Sequence, residues 1–147
     1  MPPSPAVVVP DASVLAKWLL VDEEDAPVAL RLRNAHLSGT VVLAVPALVL
    51  YELASVFAKR RAVPLSAARE FLTLVGSLEI PVIQPAPSAI GAAMELARQS
   101  GVSLYDAVYV QMAQDIGGFW VTADTRAVAA LPPDAPAMTL SAWGATF

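Results

Sequence analysis

Four carboxylates in this 147-residue chain stand where an acid needs a physical reason to be. Asp11 directly follows the apolar run AVVVP, and Asp124 follows GFWVT, with Thr122 two residues before it. Asp106 sits in SLYDAVYVQMA (103–113) among residues that favour burial. Glu52 lies in a helical run with Leu48, Val49, Tyr51, Leu53, Ser55 and Val56 around it. Acids gathered in one place can hold a hard divalent cation such as Mg²⁺ or Mn²⁺, which prefers oxygen ligands. A cation held in this way activates water and polarises a phosphoryl oxygen. With one histidine and no cysteine, a zinc site is poorly supported, and disulfides and cysteine catalysis are excluded.

Taken singly, three of the acids have a structural reading. Asp11 can cap a helix starting near Ala12, with Ser13 as its competitor, and Asp124 can open a short helix DTRAVAAL. Ser103 and Asp106 have the S-x-x-D form of a capping box. Glu52 resists this treatment, because a helix-interior glutamate among apolar neighbours must reach water or a cationic partner. Lys59, seven residues on, would have to reach back about two turns. One cation accounts for all four acids together, whereas the caps leave Glu52 unexplained.

The elements that must position these groups follow from the hydrophobic pattern. AVVVP (6–10), TVVLAV (40–45), IPVI (80–83), GFWVT (118–122) and AMTL (137–140) read as strands. Helical patterns cover 12–20, 24–36, 46–61, 64–78, 87–101 and the run around Asp106. Pro46, Pro64 and Pro87 fall where a first helical turn accepts proline, and Gly101 falls where a helix tends to stop. Continuous apolar strands alternating with helices predict an α/β fold, a three-layer α/β/α sandwich with a mainly parallel central sheet of four to five strands. In such sheets, groups just beyond the carboxyl ends of the strands gather along one ligand-binding edge. Asp11 and Asp124 are therefore expected on one rim.

Length and composition suit one globular domain over 1–147, with 56% hydrophobic and 15% charged residues. The longest apolar stretch, 41–51, is too short to span a membrane and contains Pro46, and the amino terminus lacks the pattern of an export signal. A cytoplasmic location and no membrane partner are the expectation. The net charge of −4 has the wrong sign for holding a polyanion by bulk electrostatics. A bound metal or a local basic patch must supply the missing charge if the partner is nucleic acid.

In order along the chain, VVVPDASVLAKWLL, YELASVFAKR, SLYDAVYVQMA and WVTADTR resemble the motifs of PIN-domain ribonucleases, and most nearly the VapC-type toxins of toxin–antitoxin pairs. The resemblance runs from about Val7 to Leu140. It implies a Mg²⁺- or Mn²⁺-dependent endoribonuclease with a four-acid metal site formed by Asp11, Glu52, Asp106 and Asp124. Thr122 and Ser13 match hydroxyl positions that orient water, metal or phosphate. By the same likeness the products carry a 5′-phosphate and a 3′-hydroxyl, and the partners are RNA, a cognate antitoxin and a second copy of the chain in a homodimer. Pro10 before Asp11 is less usual in this family and bears on how the first strand ends.

Other signals are weaker. Lys59, Arg60 and Arg61 read either as favourable charge at a helix carboxyl terminus or as a contact for RNA backbone or an acidic partner. Asp22, Glu23, Glu24 and Asp25 read as an acidic first helical turn. His36 reads as a surface residue after a helix, and the tryptophans as packing residues, with Trp18 a candidate for a partner interface. Two other PIN-like readings compete: a ribonuclease of RNA processing or decay, and a catalytically silent module binding RNA or protein. A Mg²⁺-dependent phosphatase on an α/β sheet is disfavoured, because Asp11-Ala-Ser lacks a second aspartate two residues on. Nucleotide-loop, serine-hydrolase and zincin motifs do not occur.

Overall fold

Four parallel strands form the central sheet in a computed structural model that describes residues 2–147. In chain order the elements are β1 (Ala6–Pro10), α1 (Ala12–Leu15, continued as a 3-10 turn over Ala16–Trp18), α2 (Ala26–Leu37), β2 (Val41–Leu43), β3 (Val45–Pro46), α3 (Leu48–Lys59) and α4 (Leu65–Ser77). They continue with β4 (Val82–Ile83), α5 (Pro87–Ser100), α6 (Leu104–Ile116), β5 (Phe119–Thr122), α7 (Thr125–Ala130), β6 (Ala137–Thr139) and α8 (Leu140–Thr146). The strand order is β2-β1-β5-β6, and every pairing is parallel.

Successive residues of a strand point to opposite faces, so consecutive burial means cover on both sides. Val8, Val9 and Pro10 are all buried, as are Trp120, Val121 and Thr122. Helix α6 packs against β1 and β5, with α5 behind it, while α2 packs on β2 and α8 lies against α2 and β5. The expected α/β sandwich with a parallel sheet is the observed one, at the lower limit of four strands.

The run 40–45 is expected as one strand, and the structure divides it. Val41–Leu43 pairs with β1, then Ala44 N–H donates to Val8 O, and Val45–Pro46 leaves to form a separate two-stranded ladder with β4. The segment 80–83 therefore does not join the central sheet. Helix α8 is a further element that the apolar pattern of 137–140 does not announce.

Glycine is required at one place that matters for the site. Gly117, at φ +72°, ends α6, and a Cβ on Gly118 would stand 2.7 Å from Val7 O. The chain can thus turn directly from α6 into β5 against β1. Pro10, which has no N–H, still sits in the ladder opposite Val121, and the next residue restores the donor through Asp11 N–H to Val121 O at 3.3 Å.

Several surface expectations change. The acidic run 22–25 precedes α2 rather than forming its first turn, and Glu23 there bridges Lys17 at 3.2 Å and Arg60 at 2.6 Å. His36 lies inside α2, where Nδ1 accepts Leu43 N–H and Nε2 meets Leu78 O at 3.0 Å, so it ties three segments together. Trp18 is buried, with its indole N–H on Ala29 O at 2.8 Å, and offers no face to a partner.

Candidate active site

Strands β1 and β5 are neighbours in parallel register, so their carboxyl ends coincide. Asp11 is the first residue beyond β1, Thr122 is the last of β5, and Asp124 follows two residues later. Helix α3 brings Glu52 to the same edge, and the first turn of α6 brings Asp106. All six residues expected from sequence, Asp11, Ser13, Glu52, Asp106, Thr122 and Asp124, line one cleft of about 340 Å³, with Ser55 and Val56 extending its α3 wall.

Asp11 is 7% exposed and has a partner at each oxygen. Oδ1 accepts Ser13 N–H at 3.0 Å, Val14 N–H at 3.4 Å and the Ser13 hydroxyl, while Oδ2 accepts the Trp120 indole N–H at 3.2 Å. The capping reading of Asp11 is thus correct, and it coexists with a place in the cleft. Burial raises its carboxyl above the ordinary value, and hydrogen bonds from Ser13, Thr122 and the backbone pull it back. Asp124 also caps, accepting Arg126 N–H at 3.1 Å and Ala127 N–H at 3.0 Å, while its own N–H donates to Thr122 Oγ1 at 3.1 Å. The Ser13 hydroxyl accepts Ala123 N–H at 3.0 Å, which fastens the segment after β5 to that after β1.

Glu52 and Asp106 differ from these two. Burial raises the Glu52 carboxyl first, the Tyr109 hydrogen bond opposes it, and repulsion from Asp11 and Asp106 raises it further. Asp106 is raised by burial and then by Asp11 and Asp124, with Ser103 opposing. Only half of the capping box forms: Asp106 N–H donates to Ser103 Oγ at 3.0 Å. Among the described residues the two ion pairs both belong to Glu23, so no cation balances Glu52.

Sequence reasoning missed the aromatic pair that holds two of the acids from behind the cleft lining. Tyr109 is fully buried and donates its hydroxyl to Glu52 Oε1 at 2.6 Å. Burial and that bond push the phenol far up, so Tyr109 keeps its proton and remains a donor. Its ring stacks on Trp120, centroids 6.2 Å apart and 19° between planes, and Trp120 in turn holds Asp11. Two acids from distant segments are thereby positioned by one aromatic pair. The available signal was the tyrosine itself, three residues beyond Asp106 on an apolar face, since a buried phenol hydroxyl needs a partner.

The family model of the PIN domain matches residues 8–131. The chain belongs to the PIN-domain family. No curated protein matches the sequence significantly. Among solved structures, PAE2754 from Pyrobaculum aerophilum is 22% identical with a TM-score of 0.67, each chain covered over 96% of its length. VapBC2 from Rickettsia felis, solved with a DNA fragment from its promoter, is 15% identical with a TM-score of 0.67, covering 90% of this chain and 98% of that one. VapC20 from Mycobacterium tuberculosis, a toxin that cleaves the sarcin–ricin loop, is 20% identical with a TM-score of 0.66, covering 88% and 99%. These likenesses establish a shared fold.

Within this PIN domain, the donor set of the cleft suits a hard cation. Its candidate ligands are carboxylate oxygens, three of them with pKa values raised by burial, and Glu52 and Asp106 further by neighbouring acids. Among the described residues, no group of three or more acid or histidine side chains is already arranged to hold a metal ion. Asp11 Oδ1 and Asp124 Oδ1 accept backbone N–H groups, and Asp11 Oδ2 accepts the Trp120 indole N–H. No helix among the described residues is long and apolar enough to cross a membrane.

Proposed function

We propose that this PIN domain is a Mg²⁺- or Mn²⁺-dependent endoribonuclease, the toxin of a toxin–antitoxin pair of the VapBC kind. The observation that carries the reading is the convergence of Asp11, Glu52, Asp106 and Asp124, from four separate segments, on one cleft where no cation among the described residues pairs with them. Repulsion of this kind weakens a fold unless it serves a ligand. The VapC20 and VapBC2 likenesses support the toxin assignment and, with it, an antitoxin partner; the homodimer rests on the motif resemblance alone.

In this reading Asp11, Glu52 and Asp106 are the metal ligands, with Asp124 completing the set. A bound divalent ion supplies an activated water and stabilises charge on the phosphoryl and leaving oxygens. The protein's part is to hold the ligands apart and ready. Tyr109 orients Glu52 through Oε1, and Trp120 holds Asp11 through Oδ2, so both carboxylates would be positioned for an ion. Ser13 and Thr122 fix the two strand ends against each other, which sets the spacing between Asp11 and Asp124.

Purified protein incubated with total RNA, with Mg²⁺ and with chelator, tests the chemistry. The expected result is metal-dependent internal cuts leaving 5′-phosphate and 3′-hydroxyl ends. Cutting in chelator, or none with either metal, contradicts it. Growth arrest on expression, relieved by a co-expressed neighbouring small gene, separates a toxin from a ribonuclease of RNA processing.

A further inference from the structure

Three consecutive bases, Lys59, Arg60 and Arg61, end α3, and the structure treats them differently. Arg60 is held by Glu23 at 2.6 Å, and Glu23 also takes the buried Lys17 at 3.2 Å, so this acid is already balanced. Lys59 is exposed and forms no ion pair among the described residues.

Its direction follows from the residues that line the cleft. Glu52, Ser55 and Val56 face the cleft from α3, which are positions i, i+3 and i+4 of one helical face, and Lys59 is i+7 of that same face. Arg60 is the helix cap, with ψ 74° leaving the helical path, and Arg61 lies beyond the helix, so neither continues that face. Lys59 lies about 10 Å beyond Glu52 along the axis. Helical side chains lean toward the amino terminus, so the exposed lysine stem is long enough to reach back along this face toward the acids.

Charge says what meets it there. The chain carries a net −4, and a cation among the four acids serves the scissile phosphate alone. A neighbouring phosphate still faces a negative wall unless the protein supplies a positive charge. Resting on the ribonuclease reading of the cleft, we propose that Lys59 contacts the backbone phosphate flanking the scissile one in single-stranded RNA, and so sets the path of the strand along α3. The helix dipole favours a base somewhere in the last turn. It does not select one free of Glu23 on the cleft's own face. A lysine ammonium is a point charge on a flexible stem and binds phosphate without reading the base.

The test is binding of an oligoribonucleotide with nuclease-resistant linkages in Mg²⁺, followed by fluorescence anisotropy across a salt series, with KM and kcat on cleavable RNA. Lys59→Ala is expected to make the log Kd against log salt slope shallower by about 0.7, the value for one contact on a single strand. It is expected to raise KM several-fold and to leave kcat unchanged, and Lys59→Arg is expected to restore the slope. Arg31→Gln makes the same charge change at the opposite edge of the sheet, beside Thr40 and Trp143, and is expected to leave the slope alone. An unchanged slope in Lys59→Ala, or equal changes in both variants, overturns the proposal while cleavage by the wild type keeps the ribonuclease reading. Unchanged RNA binding with weaker capture of an acidic protein partner also overturns it, in favour of partner recognition. A wild type that neither binds nor cuts RNA sinks the ribonuclease reading and this proposal together.

Discussion

Glu23 and Glu52 are both partly withdrawn from water, and their surroundings are opposite. Glu23 lies between Lys17, whose side chain is 9% exposed, and Arg60, which is 54% exposed. Glu52 has one neutral donor, Tyr109, and otherwise faces Asp11 and Asp106. The first region balances its own charge and ties the turn before α2 to the end of α3. The second leaves its charge unbalanced against the aromatic pair. Such an imbalance costs stability in the unliganded protein, and under the proposed function a cation and a phosphate would offset it.

If the contrast is sound, the largest effect belongs to the cleft. Asp106→Asn is expected to lower Mg²⁺-dependent RNA cleavage by more than the roughly 10–100-fold typical of outer-shell partners, while metal-free thermal stability stays level or rises. Asp11→Asn should lose as much activity without the gain, because its amide nitrogen cannot accept the buried Trp120 indole N–H, a bond worth about 1 kcal/mol. Melting curves of both variants beside cleavage assays decide this, and equal stabilisation would mean that the Asp11 hydrogen bonds carry no weight.

Next in size is Tyr109→Phe. With Glu52 released, the Mg²⁺ concentration needed for half-maximal cleavage should rise about 10–100-fold, with about 1 kcal/mol lost from folding. A wild-type metal titration in this variant would remove the aromatic pair from the mechanism.

Glu23→Gln sharpens the other side of the comparison. Cleavage should remain near the wild-type rate, while stability to denaturant falls by about 1–3 kcal/mol because Lys17 is left buried without its counter-charge. The exposed Arg60 arm adds little to that figure. Lost activity at intact stability would show that the clasp belongs to the site.

The smallest effect is on pH. Asp11, Glu52 and Asp106 have folded-state pKa values raised above the unfolded ones. Their stabilising contribution is therefore complete below the unfolded carboxylate pKa and is lost as pH rises through the folded values. Metal-free protein should gain melting temperature as pH falls from neutrality toward the carboxylate range, and less so in Asp106→Asn. Identical profiles for the two proteins in chelator would contradict the shift at Asp106.

Much of this was legible locally. Proline at the start of α5, glycine after α5 and α6, and apolar runs for β1 and β5 are short-range instructions that the folded chain follows. The acids were legible because two follow strands that share a parallel sheet, and that topology forces their ends together. Glu52 and Asp106 were legible as acids among apolar neighbours, but no local rule supplies their convergence with the other two. The split at Ala44 was hidden, since both halves of 41–46 are equally apolar and only the partners available to each decide where it pairs.

From sequence alone came the kind of fold, the positions of most elements and the identity of the acids, because periodicity and residue chemistry act over a few residues. Tertiary structure decided that Tyr109 and Trp120 hold the acids, that Glu23 rather than Glu52 receives the cations, and that Arg60 is engaged while Lys59 has no ion pair among the described residues. Each of those outcomes joins groups far apart in the chain, and such distances close only when packing chooses among many equally apolar partners.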